Sequence, residues 1–207
     1  MTVNPTKQKV IDAASLLFFQ NGFDGTSVRD IADKAAVNVS LISYYFKSKQ
    51  GLLEYAVTQY YEAYLETIER SQAGNETRTA LENLKNLAET IIQYKQHHYQ
   101  LSCFIQRELS LDSVFVREMT VTYLAKENYI ISHVFDTILS TYMRNHQDNQ
   151  FLLMQFKGML ITPYFMQHEW RNQVMGEFSH QQFVRNYTKA IGKWLDYVVE
   201  QNFHSTQ

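Results

Sequence analysis

A chain of 207 residues is long enough for one or two domains, each with a packed core. Two prolines, seven glycines and 45% apolar residues exclude the collagen-like, low-complexity and disordered classes, and so few helix breakers favour long helices. The single cysteine excludes an internal disulfide, and no apolar run approaches the ~18 residues of a membrane span. We therefore expect a cytoplasmic protein.

The charge is distributed unevenly along the chain. A net charge of −2 would by itself argue against a nucleic-acid partner. Residues 1–50, however, carry six Lys or Arg against four Asp, a net charge of +2, which leaves −4 on residues 51–207. This asymmetry has the direction expected of a DNA-reading head on a more acidic body.

Four helices are predicted in the first seventy residues, because apolar residues recur there at three- and four-residue spacing. Polar side chains of the type that cap helices precede the second, third and fourth of them. The first covers about residues 6–20 and ends before Gly22, the second has about eight residues after Thr26 and Ser27, the third covers 39–46 after Asn38, and the fourth is long and follows Ser48.

The rest of the chain continues the helical pattern after a polar interruption at residues 71–79. No run of alternating apolar and polar residues is long enough to predict a strand. The sequence therefore predicts an all-α fold of about nine helices, of which the later ones begin near residues 80, 99, 114, 150 and 180.

Two short helices joined by a tight turn are typical of a helix-turn-helix, whose second helix places side chains at base edges in the major groove. The stretches GFDGTSVRDIA at 22–32 and AAVNVSLISYYFKSKQGL at 35–52 resemble the N-terminal domain of the TetR family of bacterial transcriptional regulators. The likeness covers residues 7–57, and YYFKSK followed by Leu52 and Leu53 is its most specific part.

The resemblance implies a helix-turn-helix DNA-binding domain at 1–50 and an all-helical ligand-binding and dimerisation domain at 51–207. It further implies a homodimer that binds a palindromic site on double-stranded DNA, most often as a repressor, and that a small-molecule effector can release. An alternative stays open, because residues 38–55 are similar to a family member that regulates a cell-division protein. In that case the chain is a DNA-anchored interaction protein that binds a protein partner and no small molecule.

Residue chemistry assigns roles within the predicted head. Hydroxyl, phenol, ammonium and helix N-terminal groups suit phosphates, whereas a guanidinium, an amide, hydroxyls and a leucine suit base edges. The expected phosphate contacts are Thr26, Ser27, Tyr44, Tyr45 and Lys49, and the expected base contacts are Arg29, Asn38, Ser40, Leu41 and Ser43. Where the family often has a turn glycine, this chain has Ala36, for which we expect ordinary helical or bridging backbone angles.

The body supplies candidate residues for an effector pocket and for a dimer interface, although plain core packing is the alternative for both sets. The arginines at 107 and 117 suit an anion or ion pairs with neighbouring glutamates. The pocket candidates are Tyr94, Cys103, Phe104, Phe115, Met119, Tyr123 and Phe135, and the interface candidates are Phe151, Phe156, Leu160, Phe183, Tyr187, Ile191 and Trp194.

Enzymatic and metal-dependent functions find no support in the sequence. His97 and His98 point about 100° apart on a helix, and no second cysteine or carboxylate cluster completes a metal site with Cys103. No phosphate-cradling glycine loop or nucleophile elbow is present. We expect no cofactor and no catalytic residues.

Overall fold

The computed structural model describes residues 4–73, 77–109, 114–142, 149–165 and 179–204, and every regular element in these ranges is helical. The bounds are α1 Pro5–Asn21, α2 Val28–Ala35, α3 Val39–Phe46, α4 Lys49–Gln72, α5 Ala80–His97, α6 Tyr99–Glu108, α7 Val114–Met119, the π segment Thr120–Leu124, α8 Ala125–Tyr142, α9 Asn149–Phe165 and α10 His180–His204. Because α7, the π segment and α8 follow one another without a break, the described residues contain nine separate helical segments.

The predicted all-α class with about nine helices is confirmed. By its internal contacts the chain divides into two compact units, one of residues 1–63 and 98–110 and one of residues 64–97 and 111–207. The first unit contains α1, α2, α3, most of α4 and α6. The proposed division of function at residue 50 falls at the start of α4 and stays a prediction. None of the described helices combines the length and the apolar character that a bilayer crossing requires.

The core of the first unit is built on α1. Pro5 begins this helix, and the Asn4 side chain accepts a hydrogen bond from the Thr6 N–H at 2.9 Å. Gly22 ends the helix with a φ of 77°, and its N–H donates to the Phe18 carbonyl, as the sequence predicted. The apolar face that packs inward includes Val10, Ala14 and Phe18, which are fully buried with Ile31 and Ile42 of the next two helices.

A buried polar cluster lies within the second unit. The Tyr64 hydroxyl donates to Glu127 Oε1 at 2.6 Å, and the Lys95 ammonium lies 3.4 Å from the same oxygen. Lys95 is 3% exposed, so its charge requires this partner. Sequence reasoning missed the cluster, because residues 64, 95 and 127 lie on three different helices.

Proline at position 163 is accommodated inside α9. Because proline has no N–H, the Met159 carbonyl four residues earlier loses its helical donor. The Tyr187 hydroxyl of α10 donates to this carbonyl at 2.8 Å. Burial raises the pKa of Tyr187 to about 12, so the hydroxyl keeps the proton that it donates.

Tyr187→Phe should lower the free energy of unfolding by about 1 kcal/mol, because the Met159 carbonyl loses its donor. In a Pro163→Ala background the restored N–H serves this carbonyl, so the same substitution should cost roughly half as much. Urea unfolding of the four proteins measures both costs. Equal costs in the two backgrounds would show that the hydroxyl does not compensate for the proline.

Candidate nucleic-acid interface

A capping box begins α2. The Ser27 hydroxyl accepts from the Asp30 N–H at 3.2 Å, while Asp30 Oδ2 accepts from the Ser27 N–H at 2.9 Å. Hydrogen bonds from the Ser27 side chain and from the Ser27 N–H hold the pKa of the Asp30 carboxyl below its ordinary value, and the charged carboxylate complements the helix N-terminus. The Ser27 N–H is thus occupied, whereas the side chain of Arg29 in the first turn of α2 is exposed.

The turn between α2 and α3 differs from the expectation. Ala36 has φ 54° and ψ 48°, in the left-handed region, so the prediction of ordinary helical or bridging angles is wrong. Its N–H returns to the carbonyls of Ala32 and Asp33, and the Val37 N–H bonds to Ala32 as well. These bonds close the helix end, and they require a left-handed residue at position 36 whatever its side chain.

Ala36→Gly should therefore stabilise the protein by about 1 kcal/mol, because glycine adopts the left-handed conformation without the steric cost that Cβ brings. Ala63→Gly, at an exposed position inside α4, is the matched control and should destabilise by a similar amount. Thermal unfolding measures both changes. A loss of stability in Ala36→Gly would contradict this account of the turn.

The exposed face of α3 carries the expected base-reading residues. Asn38 caps the helix, and its Oδ1 accepts from the Ser40 N–H at 2.9 Å and from the Ser40 hydroxyl at 2.8 Å. Ser40 and Ser43 are exposed, Leu41 is half-buried, and the opposite face is buried in the core. The helix therefore presents its polar N-terminal half outward, as a recognition helix requires.

Two tyrosines at the end of α3 occupy different environments. Tyr44 is 79% exposed, whereas Tyr45 is half-buried, with its ring 5.2 Å from that of Tyr44. The Tyr45 hydroxyl accepts from the Asn4 side chain at 3.3 Å, and the Lys7 ammonium lies 5.4 Å from its ring centre. Tyr45 thus joins α1 to α3, and Tyr44 presents its phenol to solvent.

Lys49 and Thr26 form a cluster at the turn between α1 and α2. The Lys49 ammonium donates to the carbonyls of Phe23 and Thr26, both at 2.8 Å, and lies 4.3 Å from the centre of the Phe23 ring. Thr26 is 1% exposed, and its hydroxyl lies 2.8 Å from the Gly22 carbonyl and 3.2 Å from that of Leu17. Its hydroxyl is therefore used inside the head, where Thr26 positions the turn rather than offering a donor at the surface.

A contact that sequence reasoning missed connects α6 to α1. The Arg107 guanidinium donates to the carbonyls of Phe18 at 2.8 Å and Phe19 at 3.4 Å, in the last turn of α1. A cation is favourable at this helix end, so the arginine serves as a C-terminal cap supplied by another helix. The sequence suggested only an anion or a neighbouring glutamate as the partner of this arginine.

The expected pocket and interface residues are placed as follows. Of the pocket candidates, Cys103 and Phe104 are fully buried in the first unit, and Phe104 stacks on Phe18 at 5.4 Å. The other five lie in the second unit: Tyr94, Phe115, Met119, Tyr123 and Phe135.

Among the interface candidates Phe151 is 60% exposed and Tyr187 and Trp194 are half-buried, whereas four are buried in the protomer, namely Phe156, Leu160, Phe183 and Ile191.

These four side chains are almost fully buried within the protomer, so they belong to its core and have little surface that could contact a partner. The apolar residues that remain exposed on α9 and α10 are not among these four. In the part of the chain that the structure describes, no group of three or more His, Cys, Asp or Glu side chains is placed to hold a metal ion.

Comparison with known proteins agrees with the geometry of the head. The family model described as "Bacterial regulatory proteins, tetR family" matches residues 10–56. The Bacillus subtilis protein named "Probable HTH-type transcriptional regulator YttP" is 37% identical over 198 residues, which cover 92% of each chain.

Solved structures show the same fold across the length of the chain. The TetR family regulator PfmR from Thermus thermophilus superposes with a TM-score of 0.70 at 17% identity, over 89% of this chain and 97% of PfmR. FadR from Bacillus subtilis, solved with stearoyl-CoA, gives 0.63 at 20% identity, over 88% and 95%. Because YttP is 37% identical over 92% of the chain and the tetR family model matches the head, the chain belongs to the TetR family and is a DNA-binding, helix-turn-helix transcriptional regulator.

Proposed function

We propose that the chain is a homodimeric repressor that acts in the cytoplasm. Its head, residues 1–50, binds a palindromic operator, and its body, residues 51–207, dimerises and binds a small-molecule effector that releases the DNA. The observation that carries this proposal is the outward polar face of α3, whose N-terminus is capped by Asn38, in a helix-turn-helix whose first helix, α2, carries the exposed Arg29.

Position and side-chain chemistry assign a role to each candidate residue of the head. The side chains of Arg29 and of the first part of α3 suit base edges, whereas the polar groups at the ends of α2, α3 and α4 suit the phosphates on either side. We assign base contacts to Arg29, Asn38, Ser40, Leu41 and Ser43, phosphate contacts to Ser27, Tyr44, Tyr45 and Lys49, and the positioning of the turn to Thr26.

An exposed apolar stripe on α9 supports the homodimer. Phe151, Met154, Ile161 and Phe165 are 60%, 65%, 38% and 53% exposed. Together with Gly158 they recur at steps of three, four, three and four residues, which is the spacing of a helix seam that packs against another helix. A stripe of this kind on a protein surface marks an interaction site.

Gly158 lies at the centre of this stripe, with no atom within 4 Å of the position that a Cβ would take. A second helix can therefore approach closely at this point. On α10 Tyr197 is 59% exposed and Trp194 is half-buried, so this helix also offers aromatic surface to a partner. Two helices from each protomer would form a four-helix interface with two-fold symmetry.

An effector site in the body is supported by the π segment. π-helical turns are frequent at functional sites, and this one begins directly after Met119 and contains Tyr123, two of the pocket candidates. Burial raises the pKa of Tyr94, a third candidate, which keeps its hydroxyl protonated as a donor. FadR of the same fold holds stearoyl-CoA, so the fold has room for a ligand.

DNA binding tests the proposal. The purified chain is titrated with labelled fragments from the region upstream of its own gene, against competitor DNA, at 50 and 200 mM salt. We expect a preference of roughly 10³-fold or more over competitor, and an affinity that falls steeply with salt. Ser40→Ala and Ser43→Ala should change which base is preferred, with little effect on the salt dependence. Absence of any sequence preference would contradict the proposal.

A second candidate function is an interaction protein that binds a protein partner instead of an effector. It is favoured by the exposed apolar side chains of Val114, Val121 and Tyr129, which are 70%, 79% and 69% exposed on the segment from α7 to α8. Charged residues lie beside them at Arg117 and Glu118. Tyr129→Glu, outside the π segment, should abolish partner capture under this alternative and leave effector release unchanged under the first.

A further inference from the structure

An open cleft of about 600 Å³ lies between α5 and α10, within the second unit. This volume is in the range of small-molecule sites. Apart from Val184, the side chains that line the cleft are polar or charged, and none of them belongs to the pocket candidates or to the α9 stripe. Side chains of this kind offer hydrogen bonds and charges to a small polar molecule.

The two helices run antiparallel, because Lys85 near the start of α5 forms an ion pair with Asp196 in the second half of α10, while the end of α5 lies against the start of α10. His180 Nδ1, at the start of α10, lies 3.3 Å from the Gln96 carbonyl near the end of α5. Glu89 is seven residues before Gln96, and Arg185 is five residues after His180, which places them roughly 10 Å and 7 Å along the helix axes. Glu89 and Arg185 therefore share one end of the cleft, and Gln96 and His180 share the other.

Gln96 is the residue that indicates a ligand. Gln96 is among the residues that line the cleft and is 4% exposed, yet its Oε1 has no hydrogen-bond donor. An amide oxygen that is buried without a donor lowers stability, and native proteins rarely leave one in this state. A ligand that donates an N–H or O–H to this oxygen would satisfy it.

The opposite end of the cleft carries charges of both signs. The Arg185 guanidinium and the Glu89 carboxylate are exposed, and neither forms an ion pair with any residue in the described ranges. A guanidinium pairs with a carboxylate through two parallel hydrogen bonds, and a carboxylate pairs with an ammonium group. One end of the site is therefore complementary to a group that carries both charges.

We infer that this cleft binds a small zwitterionic metabolite of the amino-acid type. The ligand carboxylate pairs with Arg185, its ammonium group faces Glu89, and its far end donates a hydrogen bond to Gln96 Oε1. Binding is a property of the second unit alone, whereas its use in releasing DNA rests on the proposed function.

The test uses the full chain and two kinds of probe. The protein amino acids and glycylglycine are screened at 10 mM by thermal unfolding, with inorganic phosphate as the probe for an anion alone. At least one probe with a polar N–H at its far end, such as L-glutamine, should raise the midpoint by several degrees. Failure of the whole panel, or an equal rise with phosphate, would overturn the inference.

Variants then locate the site. Calorimetric titration with the best probe should show at least tenfold weaker binding in Arg185→Gln and in Gln96→Met, and unchanged binding in Lys189→Gln, one turn further along α10. Because Gln96 Oε1 has no donor, Gln96→Met should keep or raise the melting midpoint without ligand, which separates lost binding from lost folding. Undiminished binding in both cleft variants would refute the site.

The cleft and the proposed function can fail separately. Operator binding is measured without any probe, so a chain that binds amino acids but shows no sequence preference on DNA contradicts the regulator and supports the cleft. A chain that prefers its operator but binds none of the probes contradicts the cleft alone.

Discussion

Met154→Glu should convert the dimer into monomers. Met154 is 65% exposed in the protomer and lies in the α9 stripe beside Gly158. In the proposed interface the substitution buries a carboxylate without a partner, twice because of the two-fold axis. We expect the dissociation constant of the dimer to rise at least 100-fold, which corresponds to about 2.7 kcal/mol.

The same substitution should also abolish tight operator binding. A monomer contacts one half-site, so it loses the second set of contacts that a palindrome offers. Light scattering after gel filtration measures the mass, and anisotropy with operator DNA measures the affinity. Val121→Glu introduces the same charge at another exposed position, 79% exposed, and should leave both unchanged. A variant that stays dimeric would place the interface elsewhere.

The helices of the head could be predicted closely because their ends depend on local chemistry. Ser27 and Asn38 bond to backbone N–H groups two or three residues ahead, so their effect is visible in the sequence itself. Gly22 ends α1 for an equally local reason. The left-handed Ala36 was missed, because the conformation comes from the bonds that close α2 rather than from any preference of alanine.

The exposed side chains of α9 were harder to predict, for a different physical reason. Both faces of α9 are apolar, and periodicity does not reveal which face packs into the protomer. Phe156 and Leu160 point inward, whereas Phe151 and Ile161 remain exposed. Contacts between distant residues were equally hidden, since nothing in the sequence around Arg107 indicates that it binds the end of α1.

Lys49→Met should reduce both the stability of the protein and its affinity for DNA. Lys49 begins α4, where a cation is unfavourable to the helix dipole, so its position must be stabilised by other contacts. It donates to the carbonyls of Phe23 and Thr26 and lies over the Phe23 ring, and hydrogen bonds from a charged donor contribute about 1.5 to 3 kcal/mol each. We expect the free energy of unfolding to fall by about 3 kcal/mol.

The salt dependence of DNA binding separates the two roles of Lys49. Each lysine that neutralises a phosphate contributes about 0.9 to the slope of log affinity against log salt. At 0.1 M salt, loss of one such contact therefore weakens binding roughly tenfold. A dimer of Lys49→Met should therefore lose about 1.8 from the slope and bind roughly 100-fold more weakly. Lys34→Met removes an exposed charge from the end of α2 and should change neither stability nor slope by a comparable amount. If Lys49→Met lowers stability while the slope stays the same, the ammonium group only holds α4 against the turn, and the phosphate contact must come from Ser27, Tyr44 or Tyr45.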